Sequence, residues 1–154
     1  MPETTVGMGQ IVAGGSPRQM KAIVGSCIAL ALHHPLQKKG ALAHVVMPAS
    51  AGRTGAPGKF ADTAVPRMLE LLKELGVAAC GLTAKFAGGA NMFGSSGPLQ
   101  IGGANIQAVA QALETAGIRI EAQDVGGTRG RRVTFDCAGG LLIVECPGQP
   151  TRKL

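Results

Sequence analysis

Hydrophobic positions along the chain change between a period of two and a spacing of three and four residues, which separates predicted strands from predicted helices. Residues 6–14 and the segment MKAIVG predict two short strands. Two further apolar runs, CIALALH and ALAHVVMP, lie on either side of HPLQKKG and predict a hairpin. The segment ADTAVPRMLELLKELG predicts the clearest helix, with Asp62 or Thr63 as its N-cap and Gly76 as its stop. Its apolar stripe consists of Val65, Met68, Leu69, Leu72 and Leu75.

The rest of the chain predicts a strand, a second helix and three more strands. VAACGLTAKFAGGANMFG predicts a strand that runs into a glycine-rich loop, and ANIQAVAQALETAG predicts a helix with Ile106, Val109, Ala110 and Leu113 on one face. IRIEAQDVGG alternates apolar and polar residues, and RRVTFDCAGGLLIVECPG predicts two strands around an Ala-Gly-Gly turn. We therefore expect an α/β fold, a single-domain mixed α/β sandwich over residues 1–154 in which a largely antiparallel sheet packs with two main helices. The ends, about residues 1–6 and 148–154, are expected to be flexible.

Composition narrows the partners that this chain is expected to have. The 154 residues carry a net charge of +6, but the positive charges are scattered and the chain has no Tyr or Trp. Proteins that bind single-stranded nucleic acid interleave basic residues with aromatic platforms, so nucleic-acid binding is disfavoured. An acidic protein surface or an ordinary solvated face is the better match for the charge.

The cysteines and the apolar runs indicate where the protein works. Four cysteines show neither a CxxC pair nor zinc-finger spacing, so we expect no metal site; they are Cys27, Cys80, Cys137 and Cys146. The first residues lack the pattern of a signal peptide, and no apolar run reaches the length of a membrane span. The expected location is the cytoplasm, where thiols stay reduced.

The predicted hairpin carries the candidate chemistry. With HPLQ as a four-residue turn, His34 faces Gln37. Seven further steps along the antiparallel pair then place Cys27 opposite His44. Directly opposed residues have Cβ atoms about 4.5–5.5 Å apart, a separation at which an imidazole takes the proton of a thiol and leaves the reactive thiolate. The alternative is that Cys27 is one more buried thiol of the core and His44 a strand residue with its hydrogen bonds satisfied.

Several motifs in a fixed order resemble one protein family. The segment GSCIALALHHPLQKKGALAHVVMP is similar to the chemoreceptor glutamine deamidase family, CheD. Members carry Gly-Ser-Cys, then a turn with a proline, then Ala-His and an apolar run that ends in Pro. FADTAVPRML, AKFAGGANMF, IGGANIQAV and DVGGTRGRRVTFD match further motifs of the family in the same order, so the resemblance covers most of the chain.

The resemblance implies an activity and its partners. CheD enzymes are hydrolases of bacterial chemotaxis that convert selected glutamine side chains of methyl-accepting receptors to glutamate, and some also hydrolyse receptor methyl esters. The resemblance implies that Cys27 forms a thioester, that His44 acts as base and then as acid, and that no metal or organic cofactor takes part. The expected partners are the cytoplasmic helices of the receptors and a CheC-type phosphatase, without membrane insertion.

The chain departs from the family pattern at position 21. Members usually carry a threonine six residues before the cysteine, as the third member of a triad, and this chain has Lys21 there. A lysine side chain has no acceptor for an imidazole N–H, so it either stabilises a thiolate by its charge or points away while a backbone carbonyl orients His44. Reduced or altered activity is expected. The alternative function is a catalytically weakened CheD-like module that docks onto the phosphatase or a receptor.

Loops supply the remaining candidates for contact with a substrate or partner. The backbone N–H groups next to Gly25 and Ser26 are candidates to bind an oxyanion. AGGANMFG either contacts the substrate, with Asn91 bonded to an amide, or is a turn whose backbone requires glycine. DVGG and the arginines that follow it form either a docking surface for an acidic partner or a solvated hairpin face. The candidate residues of this substrate or partner region are Ser26, Gly88, Gly89, Asn91 and Phe93.

Overall fold

The structure, a computed structural model, describes residues 3–92 and 100–154. Its helices are α1 (Ala61–Glu74) and α2 (Ile101–Ala116), and a short 3-10 turn, Pro57–Lys59, precedes α1. Its strands are β1 (Glu3–Thr5), β2 (Ile11–Gly15), β3 (Gln19–Val24), β4 (Ile28–His34), β5 (Lys39–Val45), β6 (Thr83–Gly88), β7 (Arg119–Val125), β8 (Arg131–Asp136), β9 (Leu142–Glu145) and β10 (Arg152–Lys153).

Across the described ranges these strands form two five-stranded sheets. Sheet A has the order β1-β3-β8-β9-β10 and sheet B the order β2-β5-β4-β6-β7. Each sheet contains one parallel pair, β1 with β3 in sheet A and β6 with β7 in sheet B, and the other pairs are antiparallel. The predicted mixed α/β sandwich with two main helices is confirmed, with two sheets where one was expected.

Strand β4 shows how the three layers are held together. Its residues Ile28, Leu30 and Leu32 belong to the core between sheet B and the helices. The alternating residues Ala29 and Ala31 belong to the core between the two sheets, which we call the inter-sheet core. Because β4 is buried on both faces, its sequence is a continuous apolar run rather than an alternating one. The first residues of β4 therefore lie at the centre of the molecule.

The first helix ends as predicted but begins differently. Gly76 lies just beyond α1 with φ 81°, and its N–H and that of Val77 donate to the last carbonyls of the helix. The N-cap, however, is Phe60, which has no side-chain cap, so the prediction of Asp62 or Thr63 was wrong. The Asp62 carboxylate instead accepts hydrogen bonds from the N–H and the hydroxyl of Ser50, both at 3.0 Å.

The hairpin between β4 and β5 exists, but its register differs from the prediction. His34 pairs with Lys39 rather than Gln37, so the loop contains four residues between the paired positions. Lys38 adopts the left-handed conformation, φ 54°, and its N–H donates to the carbonyl of His34 at 2.9 Å. A side chain with a Cβ seldom adopts this conformation, so the sequence carried no signal for it.

Both ends of the described chain carry short strands that the sequence did not predict. β1 pairs in parallel with β3, with Thr5 opposite Lys21, and β10 pairs with β9. Strands of two or three residues are too short to show a period, so periodicity does not reveal them. Neither helix of the described residues combines the length and apolarity needed to cross a membrane.

Candidate active site

Cys27 is the last residue of the bend that joins β3 to β4, and hydrogen bonds fix the carbonyl groups of this bend. The N–H of Gly89 donates to the carbonyl of Cys27 at 2.9 Å, and the N–H of Ala90 donates to the carbonyl of Gly25 at 2.9 Å. The loop after β6 therefore holds the backbone on both sides of the cysteine.

The remaining carbonyl of the bend is held by helix α2. The Ser26 carbonyl accepts a hydrogen bond from Asn105 Nδ2 at 2.9 Å. A peptide unit is planar and trans, so the N–H of Cys27 points opposite to the carbonyl of Ser26 and away from Asn105. That N–H interacts with the Cys27 side chain itself, an interaction that lowers the pKa of the thiol.

His44 lies on the same face of sheet B as Cys27. Leu42 of β5 is in the inter-sheet core, so His44, two residues further on, points the same way, and Cys27 packs against that core. His44 pairs with Ala29, which makes Cys27 its diagonal neighbour, at a Cα separation of about 7–8 Å. The prediction of direct opposition was wrong by two residues. An even shift keeps both side chains on one face, so the pair survives the error.

A main-chain atom orients the His44 ring, which is 5% exposed. Nδ1 lies 3.0 Å from the carbonyl oxygen of Val6. A carbonyl only accepts, so Nδ1 carries the hydrogen and donates it, and a neutral His44 keeps its lone pair on Nε2. Val6 is fixed in turn, because its N–H donates to the carbonyl of Lys21 at 2.7 Å.

The side chain of Lys21 does not belong to this group. Its neighbours in β3, Met20 and Ala22, face the inter-sheet core, so Lys21 points to the opposite face of sheet A. There its Nζ pairs with Glu3 Oε2 at 3.2 Å, with both side chains partly exposed. Position 21 reaches His44 only through its backbone carbonyl and Val6.

Known proteins with similar sequences identify the family. A family model described as CheD chemotactic sensory transduction matches residues 46–146. The chemoreceptor glutamine deamidase CheD of Thermotoga maritima is 42% identical over 144 residues, which cover 93% of this chain and 91% of the relative. The chain belongs to the CheD family. The probable chemoreceptor glutamine deamidases CheD of Desulforamulus reducens and Methanococcus maripaludis are 38% and 40% identical, over 99% and 91% of this chain and 95% and 92% of their own lengths.

Close backbone approaches shape the glycine loop that follows β6. Gly88 and Gly89 have φ of 120° and 68°, which favour glycine. A Cβ on Gly88 would overlap the carbonyl oxygen of Cys27, and one on Gly89 would lie 2.5 Å from Ile106 Cγ1. Backbone geometry alone thus explains both glycines, and it brings the loop against the candidate nucleophile.

The other two loop candidates differ in what is known of them. The N–H of Asn91 donates to the carbonyl of Gly127 at 2.8 Å, which ties the loop to the DVGG segment. The Asn91 side chain is partly exposed at this junction. Phe93 lies outside the described residues.

One arginine that follows the DVGG segment, Arg131, stabilises the fold. Arg131 is 8% exposed. Its Nη1 and Nη2 donate to the carbonyls of Gly88 and Gly126 at 3.2 and 2.7 Å, and its Nε pairs with Asp124 Oδ1 at 3.2 Å. Arg131 is therefore not available to a partner, whereas Arg132 is exposed. The arginine clasps the end of β6, from which the loop that holds Cys27 begins.

The electrostatics of Cys27 change the chemistry expected of it. Burial raises the pKa of the Cys27 thiol above its ordinary value, and the opposing effect of its own N–H is smaller. The raised pKa favours the neutral thiol of Cys27 over the thiolate. A buried thiol of this kind becomes a nucleophile only when a neighbouring base takes its proton, and the imidazole of His44 lies on the same face of sheet B.

No group of three His, Cys, Asp or Glu side chains in residues 3–92 and 100–154 could hold a metal ion.

Two residues of the site escaped the sequence analysis. Val6 acts through its carbonyl, and a main-chain atom leaves no mark in the sequence. Asn105 had a signal, because an amide at a core-facing position of an amphipathic helix has to be hydrogen-bonded. It lies four residues before Val109 on the buried stripe of α2.

Proposed function

We propose that this protein deamidates glutamine side chains of chemoreceptors, with Cys27 as nucleophile and His44 as general base and acid. The hydrogen bond from His44 Nδ1 to the Val6 carbonyl carries the proposal, because it reserves Nε2 for proton transfer on the face shared with Cys27. The substrate comes from the name of the Thermotoga maritima relative, a chemoreceptor glutamine deamidase.

In the first half of the reaction, the Cys27 sulfur attacks the amide carbon of the glutamine side chain. The thiol proton passes to His44 Nε2, and the amide oxygen becomes an oxyanion. The N–H groups of Ser26 and Cys27 point away from the loop and helix that hold the bend, and they are the donors proposed to stabilise this charge. His44 then gives the proton to the departing nitrogen, so ammonia leaves and a thioester remains.

In the second half, water attacks the thioester carbon. His44 Nε2 takes a proton from the water, the carbon–sulfur bond breaks, and the sulfur of Cys27 recovers its proton from His44. The product is glutamate. A methyl ester presents the same acyl carbon with methanol as leaving group, so we propose it as a second substrate class.

Exposed methionines beside the site are suited to contact an apolar surface of the substrate protein. Met92 is 50% exposed and lies against Gly25, two residues before the nucleophile. Met8 is 72% exposed, and the N–H of the next residue, Gly9, donates to the carbonyl of His44 at 2.9 Å. Flexible methionine side chains adapt to irregular apolar surfaces, so we expect them to contact the receptor helix.

The setting and the second partner follow from the family. We propose that the protein acts in the cytoplasm, where receptor helices carry the glutamines, and that it also binds a CheC-type phosphatase. Copurification of a tagged chain with its own CheC-type protein, before and after competition by a receptor fragment, tests that partner.

The decisive experiment measures ammonia release and a mass gain of the receptor after incubation with a purified receptor cytoplasmic fragment. The Cys27→Ala variant is expected to lose at least about 10³-fold in rate, and His44→Gln about 10²–10⁴-fold, the range typical of a general base. Cys80→Ala serves as the matched control, because this thiol is exposed and remote from the site, and it is expected to keep the parent rate.

Two outcomes would contradict the proposal. Ammonia release that persists in Cys27→Ala would remove the nucleophile from its role. No ammonia from the parent, with receptor or phosphatase binding intact, would leave a CheD-like binding module.

A further inference from the structure

Asn105 is a fully buried polar side chain in the core-facing stripe of α2. It is 0% exposed, and its helix neighbours on that face are Gly102, Val109 and Leu113. Burying an amide without hydrogen bonds is unfavourable, so a side chain here has to be held by specific partners. The partners identify what it does.

Both hydrogens of the Asn105 amide nitrogen are used. Nδ2 donates to the carbonyl of Ser26 at 2.9 Å and to the carbonyl of Val46 at 2.9 Å. An amide nitrogen has two hydrogens and both acceptors are carbonyls, so this assignment of the amide nitrogen is the one that both partners accept.

The two carbonyls lie just outside the paired ends of β4 and β5, close in sequence to the side chains proposed to react. Ser26 directly precedes Cys27, and Val46 is the second residue after His44. The β4–β5 ladder ends with Ile28 opposite Val45, so Cys27 and Val46 are the next facing positions. The side chain of Asn105 therefore bridges the two chain segments by hydrogen bonds, just beyond the point where the main-chain pairing of β4 and β5 ends.

This bond also sets the direction of the Cys27 N–H. The Ser26 carbonyl and the Cys27 N–H belong to one planar peptide unit, so fixing the first fixes the second. That N–H interacts with the sulfur of Cys27 and is a proposed oxyanion donor.

We propose that Asn105 is a positioning residue, which fixes the Cys27 peptide against the strand of His44 and so sets the separation of nucleophile and base. Its effect on turnover rests on the proposed deamidase function, but its effect on the thiol does not. Misplacement of a reacting group by about 1 Å costs on the order of 10²-fold in rate. Loss of the two hydrogen bonds of Asn105 is therefore expected to lower the rate measurably.

The amide is suited to this place better than any similar side chain. An aspartate has no hydrogen to donate, and a leucine of similar size would leave the part-buried carbonyls of Ser26 and Val46 without this donor. Oδ1 of Asn105 is buried and has no hydrogen-bond partner among residues 3–92 and 100–154. The side chain is thus placed for its donors, at the expense of its acceptor.

The experiment compares Asn105→Ala with Val109→Ala. Val109 is buried on the same helix one turn further along. Its variant therefore matches the loss of core packing but leaves the two hydrogen bonds of Asn105 in place. Measured for each are the free energy of unfolding in urea, kcat and KM for ammonia release from a receptor fragment, and the pH dependence of Cys27 alkylation by iodoacetamide, followed by mass spectrometry of the Cys27 peptide.

We expect Asn105→Ala to lower kcat by roughly 10- to 100-fold with KM within about twofold, and to move the midpoint of Cys27 alkylation to higher pH. Val109→Ala should lose stability but keep kcat and the midpoint. Equal losses of kcat in both variants, or an unmoved midpoint in folded Asn105→Ala, would overturn the inference. If the parent releases no ammonia, the proposed function fails, and the alkylation midpoints still decide the role of Asn105.

Discussion

At the scale of single residues, position 21 contributes its backbone rather than its side chain. The carbonyl of Lys21 accepts the N–H of Val6, and the carbonyl of Val6 accepts the Nδ1–H of His44. The Lys21 side chain points to the other face of sheet A, toward Glu3. Every residue type supplies the carbonyl, so a lysine at position 21 leaves the orientation of His44 in place.

Replacing Lys21 by threonine is therefore expected to change little. Lys21→Thr should keep kcat within about twofold of the parent in the ammonia assay. Its free energy of unfolding should change by no more than about 1 kcal/mol, because the pair with Glu3 is exposed. Ile23→Thr is the matched control, on the same strand and face and 72% exposed. A tenfold gain of kcat in Lys21→Thr alone would restore the side chain at position 21 to the mechanism.

At the scale of elements, the start of α2 presses on the loop that holds the nucleophile. A Cβ on Gly102 would overlap the carbonyl of Ala90 and lie 2.6 Å from the carbonyl of Gly89, the two residues whose N–H groups fix the bend around Cys27. Gly103, the next residue, has no heavy atom within 4 Å of a Cβ position. Adjacent glycines in one helix thus have opposite roles.

Alanine at these two positions should have opposite effects. Gly102→Ala is expected to destabilise by about 1–3 kcal/mol through overpacking and to lower kcat, because the loop has to move. Gly103→Ala is expected to stabilise by about 0.5–1 kcal/mol, since alanine favours the helix. Urea unfolding and ammonia release measure both. A Gly102→Ala variant with parental stability and kcat would show that the contact yields without consequence.

The elements also show how far the sequence alone could lead. Strong periodicity revealed both helices, and the long apolar runs revealed β4 and β5. The register failed at Lys38, whose left-handed backbone is a local choice that residue type does not encode. The register error was two residues, an even number, so Cys27 and His44 still lie on one face of sheet B. The placement of the candidate pair on one face was therefore predicted correctly even though the predicted turn was wrong. The group that orients His44 is the carbonyl of Val6, which belongs to a segment expected to be flexible. No residue pattern identifies a main-chain atom of this kind.

At the scale of the whole molecule, two buried histidines link the sheets at opposite ends. His44 reaches the Val6 carbonyl beside the site, and His33 Nε2 lies 2.9 Å from the carbonyl of Cys137, to which it donates. His33 is six residues along from Cys27, a span of about 20 Å for a strand. His33 and Cys137 are both buried and both have titratable side chains. The free energy of unfolding should therefore depend on pH at both the acidic and the alkaline extreme.

Stability is expected to be greatest between about pH 6.5 and 9. Burial lowers the pKa of His33, so its contribution is present above the ordinary histidine pKa and is lost as the pH falls through the lowered value. Burial, with the charge of Asp136, raises the pKa of Cys137 from 9.0 to about 11. Its contribution is present below pH 9 and is lost as the pH rises toward 11, by roughly 2–3 kcal/mol.

Urea unfolding between pH 5 and 11 measures this window. Cys137→Ala should flatten most of the alkaline limb, with a remainder from Cys27, whereas Cys80→Ala, at an exposed thiol, should leave the limb unchanged. An alkaline limb equally steep in Cys137→Ala and in the parent would assign the loss of stability to other groups.

The bond from His44 to the Val6 carbonyl has a consequence for how this protein can vary. A main-chain acceptor remains present whatever residue replaces Val6. Alanine scanning of the side chains would therefore not detect it. What it requires is that residues 3–6 follow their path beside β3. Selection on that path acts through the length and pairing of the first strand, and it leaves the identity of the residues that form it free to drift.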